Sequence, residues 1–384
     1  MTTISRKFVV TGSFIAYTMY FTYYRTPSVD AVTEEFDEVT EACLDCRSTG
    51  KYASISNLKE FVGNPGSILA VVNDNSLIRI TIHKEMLYLT GTRFANDGLV
   101  DGELKKARFT LITSFLQLNA TFILVVDSGG SCIRSVDLIR GQVDSFSGYC
   151  IEEKQDDFYP SQPAGRYISY LYPYHLVSDP LDQKFVYLTD KNYVRKIDIH
   201  SRYVTIVYDH PIKEDKIYIQ WKGGVSSKAP TSFQLRWMAF LNNFVYITSK
   251  NHGLLVLDRN WKLEKMLHPE QTPLLSYDSL ARVSLNHVYP ISTKKLLITF
   301  VGDNGWFSND PQTILFNIER PGESYILEQR SNLKDKLQES ISSVNSISWF
   351  NRQLVFTGTA ASENSECLPM VSASFPGNTN IHIY

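Results

Sequence analysis

The sequence predicts an all-β protein built from six similar units. Runs of β-branched and aromatic residues recur six times at intervals of about 50 to 65 residues, a spacing typical of repeat folds. A polar turn and a second run of the same type follow several of them, and no amphipathic helix interrupts the pattern. Because small antiparallel sheets cannot bury both faces alone, radial stacking is the favoured solution. The predicted fold is a six-bladed β-propeller of four-stranded antiparallel blades over residues 50–384. The six runs are residues 68–72, 122–126, 185–189, 244–248, 296–300 and 353–357.

Composition and charge are consistent with a large folded core and exclude several classes of protein. The chain has 384 residues, of which 43% are hydrophobic and 20% are charged, so it is not a disordered tail, a collagen or a coiled coil. A single core stops growing at roughly 250 to 300 residues, which also favours repeats over one compact domain. The net charge of −2 lacks the basic excess that a nucleic-acid binder needs. We therefore expect no nucleic-acid partner.

The N-terminus has the layout of a secretory signal peptide. Arg6 and Lys7 precede an uncharged stretch, residues 8–24, and small residues follow at 29–31. Residues 1–31 are therefore predicted to be a signal peptide or, if uncleaved, a membrane anchor; an ordinary buried segment is the remaining alternative. The protein is expected to be secreted, or anchored to a membrane by its N-terminus. We expect contact with a membrane only in the uncleaved form.

An acidic segment follows the predicted signal peptide. Between Ser28 and Cys46 there are seven Asp or Glu residues and no Lys or Arg. Charge runs of this kind are usually solvated, so residues 32–49 are predicted to be an acidic linker or a short exposed helix. An acidic patch for a cationic partner is the alternative.

The second unit, residues 97–150, resembles an NHL repeat. It contains a Gly-Asp-Gly-like turn, an Ala-x-Phe, a strand ending in Val-x-Asp, an Ile-Arg-x-Val-Asp strand and a closing Val-x-x-x-x-Gly. The resemblance covers roughly residues 50–384, is strongest in this unit, and implies a six-bladed propeller of the extracellular type. The stretch Tyr187–Asp190 is also similar to the YWTD motif of other six-bladed propellers. The matching residues are Asp101, Gly102, Ala107, Phe109, Val125, Asp127, Ile133, Arg134, Val136, Asp137, Val143 and Gly148.

Structural roles are expected for most of these residues. Gly102 permits a positive φ in a turn, Ala107 leaves room for the neighbouring sheet, and Phe109 fills the space between blades. Asp127 and Asp137, at strand ends, are expected to accept hydrogen bonds from turn amides rather than to perform chemistry. Three arginines are expected to lie along the sheets and to pair with such carboxylates, with ligand contact as the alternative. They are Arg79, Arg134 and Arg195.

Two of the five cysteines are predicted to form a disulfide. Cys132 and Cys150 are each nine residues from Gly141, so a hairpin turning at Arg140-Gly141 places them opposite one another. Similar pairs occur in extracellular proteins of the class that the second unit resembles. Two buried thiols of an intracellular adaptor are the alternative. The pairing of the other three stays open, although a bond from one of the first two to the third is the simplest interpretation. They are Cys43, Cys46 and Cys367.

Candidate functional residues are those expected on the innermost strands, around a central channel. His175 and His287 are weak candidates for ligands of a Zn²⁺ or Ca²⁺ ion, since no third histidine lies on an equivalent strand and catalytic zinc needs three protein ligands. Packing is the plainer role for both. Asn119 begins the sequence Asn-Ala-Thr, a glycosylation site at an expected hairpin tip. The candidates for the ligand-binding surface are Tyr174, Arg236, Trp237, Tyr289 and Trp349.

These features together favour a binding protein. No G-x-S-x-G, H-E-x-x-H, P-loop or G-x-G-x-x-G sequence occurs, so no catalytic residue is assigned and no cofactor is expected. The predicted function is that of a secreted binding or scaffold module for a protein or a glycan. The alternative is a metal-dependent enzyme of the lyase or lactonase type, with its site in the central channel.

Overall fold

The computed structural model describes fourteen segments of the chain, which together contain 25 β-strands. Within these segments there is no helix, and in particular none long and apolar enough to span a bilayer. The predicted all-β class is confirmed. The predicted signal or anchor, residues 1–31, lies outside the described residues. The described segments are 38–45, 55–64, 66–81, 85–91, 98–150, 168–211, 234–250, 253–267, 283–302, 311–319, 325–326, 341–350, 353–360 and 367–374.

The strands form antiparallel sheets that follow one another along the chain. The chain begins with β1 (Glu38–Asp45). Sheet 1 contains β2 (Ile55–Glu60), β3 (Ile68–Val72), β4 (Ser76–Ile80) and β5 (Met86–Gly91). Sheet 2 contains β6 (Gly102–Glu103), β7 (Ile112–Gln117), β8 (Phe122–Asp127), β9 (Cys132–Asp137) and β10 (Gln142–Ser147). Sheet 3 contains β11 (Pro173–Asp179), β12 (Asp182–Asp190), β13 (Tyr193–Asp198) and β14 (Val204–Asp209). Sheet 4 contains β15 (Gln234–Leu241), β16 (Phe244–Lys250), β17 (Gly253–Asp258) and β18 (Leu263–Leu267). Sheet 5 contains β19 (Val283–Pro290), β20 (Lys295–Gly302), β21 (Pro311–Asn317) and β22 (Tyr325–Ile326). Sheet 6 contains β23 (Ile341–Phe350), β24 (Gln353–Ala360), β25 (Cys367–Ser374) and β1.

The sheets are the blades of a propeller. The prediction that every blade has four strands is wrong. Only five sheets have four strands, because sheet 2 gains a fifth at its outer edge. That strand, β6, is two residues long and pairs with β10 through Gly102 and Glu103. Gly102 has a φ of 126°, which is the positive φ predicted for this turn.

Apolar side chains fill the spaces between consecutive sheets. Sheets 1 and 2 share one buried cluster that includes Leu69 and Phe115, and sheets 2 and 3 share another that includes Val126 and Leu188. Further clusters join sheets 3 and 4, sheets 4 and 5, and sheet 1 with Val355 of sheet 6. The first strand of sheet 1, β2, contacts both β7 and β23. These clusters thus shield apolar surface between neighbouring sheets, and the first sheet contacts the last.

Residues 38–45 of the predicted acidic linker form an edge strand instead. The strand β1 pairs antiparallel with β25, so the N-terminal part of the chain completes the last sheet. The sequence of this strand contains three acidic residues, a composition that discourages further strand addition at an edge. In this register Cys43 faces Pro369 and Cys367 faces Asp45. Cys46 lies outside the described residues.

The second unit confirms the structural roles predicted for its residues. Ala107 and Phe109 are buried between sheets 1 and 2. The Asp127 carboxylate accepts hydrogen bonds from the backbone N–H groups of Thr110, Leu111 and Gly130. The Asp137 carboxylate accepts hydrogen bonds from the amides of residues 139 and 140 in the turn that follows. These carboxylates organise loops.

Two of the three arginines pair with carboxylates as predicted. The Arg134 side chain contacts Asp127 and Asp101, and Arg195 donates to Asp190 at 2.7 Å. Arg79 differs, because its guanidinium lies over the ring of Phe61 at 5.6 Å.

The predicted Cys132–Cys150 disulfide is present, although the predicted register is wrong. The two Cα atoms are 5.1 Å apart. The strands β9 and β10 pair with Gln142 opposite Asp137, and a bulge between Ser145 and Ser147 shifts the register further. Cys150 therefore lies beyond the end of β10, after Gly148, whose φ of 94° redirects the chain. The bond joins the start of β9 to this turn and not two directly opposed strand residues.

Candidate functional site

The first strands of sheets 3, 4 and 5 carry the same irregularity, a two-residue β-bulge. In each, two residues oppose a single threonine of the second strand. The bulged pairs are Tyr174-His175 on β11, Arg236-Trp237 on β15 and Asn286-His287 on β19. A bulge redirects the side chains it contains, and strands β11, β15 and β19 are neighbours in the ring. The bulges therefore bring six side chains from distant parts of the chain together.

Threonine hydroxyls hold the bulges in place. Thr189 accepts a hydrogen bond from the His175 N–H at 3.1 Å and donates to the Arg236 carbonyl of the next sheet at 2.5 Å. Thr248 does the same: it accepts a hydrogen bond from the Trp237 N–H at 3.0 Å and donates to the carbonyl of residue 286 at 2.8 Å. Each threonine satisfies one backbone group that its bulge frees and also links two sheets, so the position of the bulged residues is fixed by hydrogen bonds rather than by loops.

The rings of the bulged residues form a contiguous row. The imidazole of His175 stacks on the Trp237 indole with centroids 3.7 Å apart, and the edge of His287 meets the same indole at 4.4 Å. Tyr289 continues the row beside His287, at 5.8 Å. Trp237 is only 4% exposed, whereas His287 and Tyr289 are partly exposed. We name these four residues the axial ring cluster.

Both histidines of the axial ring cluster are neutral. Burial and, to a smaller extent, the nearby Arg236 together lower the pKa of His287 to about 3. Burial also holds the pKa of His175 well below its usual value, with smaller effects from Lys59 and His287. The Nδ1 atom of His175 accepts a hydrogen bond from the Met238 N–H at 3.1 Å, so the proton of this neutral ring is on Nε2.

The prediction that His175 and His287 bind a metal stays untested. The structure places both imidazoles in contact with Trp237, and the Nδ1 of His287 lies 2.8 Å from the Thr299 hydroxyl. Among the described residues, no group of three His, Cys, Asp or Glu side chains is arranged to hold an ion. Elemental analysis of the purified protein, together with His175→Ala and His287→Ala, tests the metal-dependent alternative.

Four of the five predicted surface residues come together here. Trp237 and Tyr289 belong to the axial ring cluster, and Tyr174 and Arg236 lie beside it. The Arg236 guanidinium lies over the Tyr174 ring, with its carbon 5.6 Å from the centroid, and donates a hydrogen bond to Asn286 Oδ1. Tyr289 interacts with Tyr174 and Ser348, and burial raises its pKa. For Trp349 only the backbone is described, opposite Leu354 on β24. The site thus combines aromatic rings, neutral imidazoles and one permanent cation.

Lys59 is the residue of this region that sequence reasoning missed. It follows the bulge of β2, and its Nζ donates to the Phe115 carbonyl of sheet 2 at 2.6 Å. Burial lowers its pKa from 10.5 to about 8. The available sequence signal was a lysine inside a strand that also contains the apolar Ile55 and Leu58, directly after the position where the other units carry their bulges.

Lys59 should make stability depend on pH in the alkaline range. Between pH 8 and 10 the folded protein loses this proton while the unfolded chain keeps it, so the unfolding free energy should rise with pH by up to about 1.4 kcal/mol per unit. Denaturant unfolding at pH 8.0 and 9.5 should show this rise in the wild type and a flatter dependence in Lys59→Met. Lys106→Met, at an exposed position, should keep the wild-type slope. Equal slopes in all three proteins would refute the assignment.

A shallow groove elsewhere is a weaker candidate for a binding site than the axial site. It lies on the outer strands of sheet 3, and the Lys196 ammonium covers the Phe185 ring there at 3.6 Å. Its aromatic face is therefore already occupied by a cation from the same sheet. The groove is lined by Phe185, Lys196, Asp198, Ser201, Tyr203 and Thr205.

Comparisons with known proteins do not show a family for this chain. No protein-family model and no curated protein matches the sequence, so the NHL resemblance of the second unit stays a resemblance. Among solved structures the chain is similar to the extracellular domain of a protein described as a hybrid two-component system from B. thetaiotaomicron, with a TM-score of 0.47 and 11% identity. The match covers 83% of this chain and 34% of that one. An exported protein from Bacteroides fragilis is similar with a TM-score of 0.47 and 10% identity, over 88% of this chain and 94% of that one.

Proposed function

We propose that this protein is an extracellular binding module that takes a group of a protein or glycan partner at the axial site. In this proposal the five four-stranded sheets and the five-stranded sheet act as six blades of one closed ring. The observation that carries the proposal is the convergence of three bulged strands, which bring Tyr174, Arg236 and the axial ring cluster together. Binding surfaces are enriched in tyrosine, tryptophan and arginine, and residues fixed on strands lose little entropy on binding.

The disulfide supports the extracellular location. Bonds such as Cys132–Cys150 persist in oxidising compartments and are rare in the cytosol. The N-terminal segment gives no structural support for this location, because it lies outside the described residues. A secreted or N-terminally anchored form is equally compatible with this support.

Asn119 should carry a glycan if the protein passes through a eukaryotic secretory pathway. It lies in the exposed turn between β7 and β8, where its side-chain oxygen accepts hydrogen bonds from the Thr121 and Phe122 amides. We expect enzymatic deglycosylation of protein secreted from such cells to increase its electrophoretic mobility, and Asn119→Gln to abolish that shift. A wild-type protein that is secreted but insensitive to the enzyme would contradict the prediction.

Array binding tests the proposed function. The folded protein is applied to glycan and peptide arrays in three forms: wild type, Tyr174→Ala and Tyr203→Ala. Both tyrosines are at least partly exposed, but Tyr203 lies on the outer part of sheet 3, far from the axis in strand order. We expect selective binding by the wild type, at least tenfold weaker binding by Tyr174→Ala, and no change in Tyr203→Ala. No selective binding, or equal loss in both variants, would overturn the proposal.

A further inference from the structure

The axial site contains a guanidinium with no carboxylate partner among the described residues. Three other arginines each pair with a carboxylate, Arg134 with Asp101 and Asp127, Arg195 with Asp190, and Arg259 with Asp179, whereas Arg79 lies over the Phe61 ring. The described contacts of Arg236 are instead a neutral amide, that of Asn286, and the ring of Tyr174. Its charge is therefore not neutralised by the part of the chain that the structure describes.

Two polar atoms at this site also lack hydrogen bonds within the described segments. The Nε of Arg236 is buried and has no acceptor there. The Ser348 hydroxyl, beside the phenol of Tyr289, makes no hydrogen bond of normal geometry, and Ser348 is only 2% exposed. Buried polar groups are usually satisfied, and an unsatisfied donor costs about 1 to 3 kcal/mol. The Arg236 Nε can only donate, so a hydrogen-bond acceptor is the group that would satisfy it.

Among the described residues, the charged side chains that act on the two histidines are basic. Lys59 affects the protonation of His175, and Arg236 that of His287, so a basic side chain adjoins each histidine. The imidazoles are neutral, as derived above, and the phenol of Tyr289 is protonated because burial raises its pKa. The Asp190 carboxylate of sheet 3 is already bound to Arg195 and to two backbone amides. A single negative charge would balance Arg236 in surroundings that screen it weakly.

We propose that the axial site binds a carboxylate, held by the Arg236 guanidinium and packed against the partly exposed rings of Tyr174 and Tyr289. The inference rests on the proposed function and names the chemical class of its ligand. A planar guanidinium matches a carboxylate in a two-point arrangement. Because the Lys59 ammonium already donates to the Phe115 carbonyl, the Arg236 guanidinium and the neutral donors are left for the ligand, and they suit a monoanion better than an ion of two charges. The carboxylate can belong to an acidic sugar or to a peptide.

The test uses small probes and the intrinsic fluorescence of Trp237 and the other tryptophans, with calorimetry as a second readout. Benzoate should bind the unchanged protein at least tenfold more tightly than benzamide, which has the same shape without the charge; this ratio corresponds to about 1.4 kcal/mol. Inorganic phosphate should bind more weakly than benzoate. Equal affinity for benzoate and benzamide, or tighter binding of phosphate, would overturn the proposal without requiring any variant.

Matched arginine variants locate the probe. Arg236→Gln should weaken benzoate binding at least tenfold and leave that of benzamide unchanged. Arg259→Gln removes a guanidinium of the same sheet that pairs with Asp179, and it should bind benzoate like the wild type. If both variants or neither lose affinity, the assignment to Arg236 is wrong. Glucuronate and a short peptide acid then separate the two sources, each compared with its neutral analogue.

These experiments separate a failure of the carboxylate inference from a failure of the proposed function. A protein that binds the arrays through Tyr174 but does not prefer benzoate over benzamide is a binding module for an uncharged group. A protein that selects benzoate through Arg236 but fails on both arrays has the carboxylate site, and the proposed macromolecular partner is then wrong.

Discussion

Replacing Arg134 with alanine should destabilise the protein by about 3 to 5 kcal/mol, the range measured when one partner of a buried ion pair is removed. The Arg134 side chain is fully buried, and so is that of Asp127. The guanidinium donates to Asp101 Oδ1 at 2.7 Å and to the Val100 carbonyl at 2.5 Å, and its carbon lies 4.4 Å from the Phe109 centroid. The variant would leave the Asp127 charge buried without its cation and would release the loop that contains Asp101.

Denaturant unfolding at neutral pH measures this effect. Arg140→Ala is the matched control, because Arg140 is an exposed arginine of the same unit that pairs with Asp144 at 3.5 Å. Exposed pairs contribute about 0 to 1 kcal/mol, so the control should be close to wild type. The double variant Arg134→Met, Asp127→Leu replaces both buried partners with apolar side chains. Its loss of stability should be smaller than the sum of the losses in Arg134→Ala and Asp127→Ala. A loss below about 1 kcal/mol in Arg134→Ala would show that the pair is not buried as described.

Removing the disulfide should cost about 3 kcal/mol. Cys132 and Cys150 are 18 residues apart. A disulfide that closes a loop of that length lowers the conformational entropy of the unfolded chain, which stabilises the folded protein by about this free energy. The double variant Cys132→Ser, Cys150→Ser should therefore unfold at a lower denaturant concentration than the oxidised wild type. The Cys132 side chain is fully buried at the start of β9, so a serine there adds a small further loss.

A reducing agent supplies the control for the disulfide. Reduced wild type should become nearly as unstable as the double variant, while the double variant itself should not respond to the reductant. Thiol titration of the denatured, unreduced wild type should find neither Cys132 nor Cys150 free. Full reactivity of both thiols, or unchanged stability in the double variant, would contradict the bond and remove the main support for an extracellular location.

The sequence predicted the sheets because their signal is local. Each run of β-branched and aromatic residues that recurs along the chain is part of the second strand of a sheet, from β3 to β24. The loop-organising carboxylates Asp127 and Asp137 were also predictable, since they follow strands directly. The strand β1 was not, because its partner β25 is more than 320 residues away and its acidic residues resemble a solvated linker.

The site was predictable in its members and not in its arrangement. Tyr174, Arg236, Trp237, His287 and Tyr289 were placed on innermost strands, where the structure has them. The bulges that bring them together depend on the register between two strands, which residues on one strand do not reveal. Thr189 and Thr248 end similar runs, and this repetition was the available signal for the hydrogen bonds that hold the bulges.

The radial arrangement of the sheets is tested most directly by nuclear Overhauser effects in a deuterated protein with protonated histidine and tryptophan rings. His175, Trp237 and His287 lie on three consecutive sheets, and the side-by-side packing of the first strands of these sheets brings their rings to centroid distances of 3.7 and 4.4 Å. We expect cross-peaks from the Trp237 indole to both imidazoles, assigned with His175→Gln and His287→Gln. A folded protein without either cross-peak would contradict the arrangement and the site that depends on it.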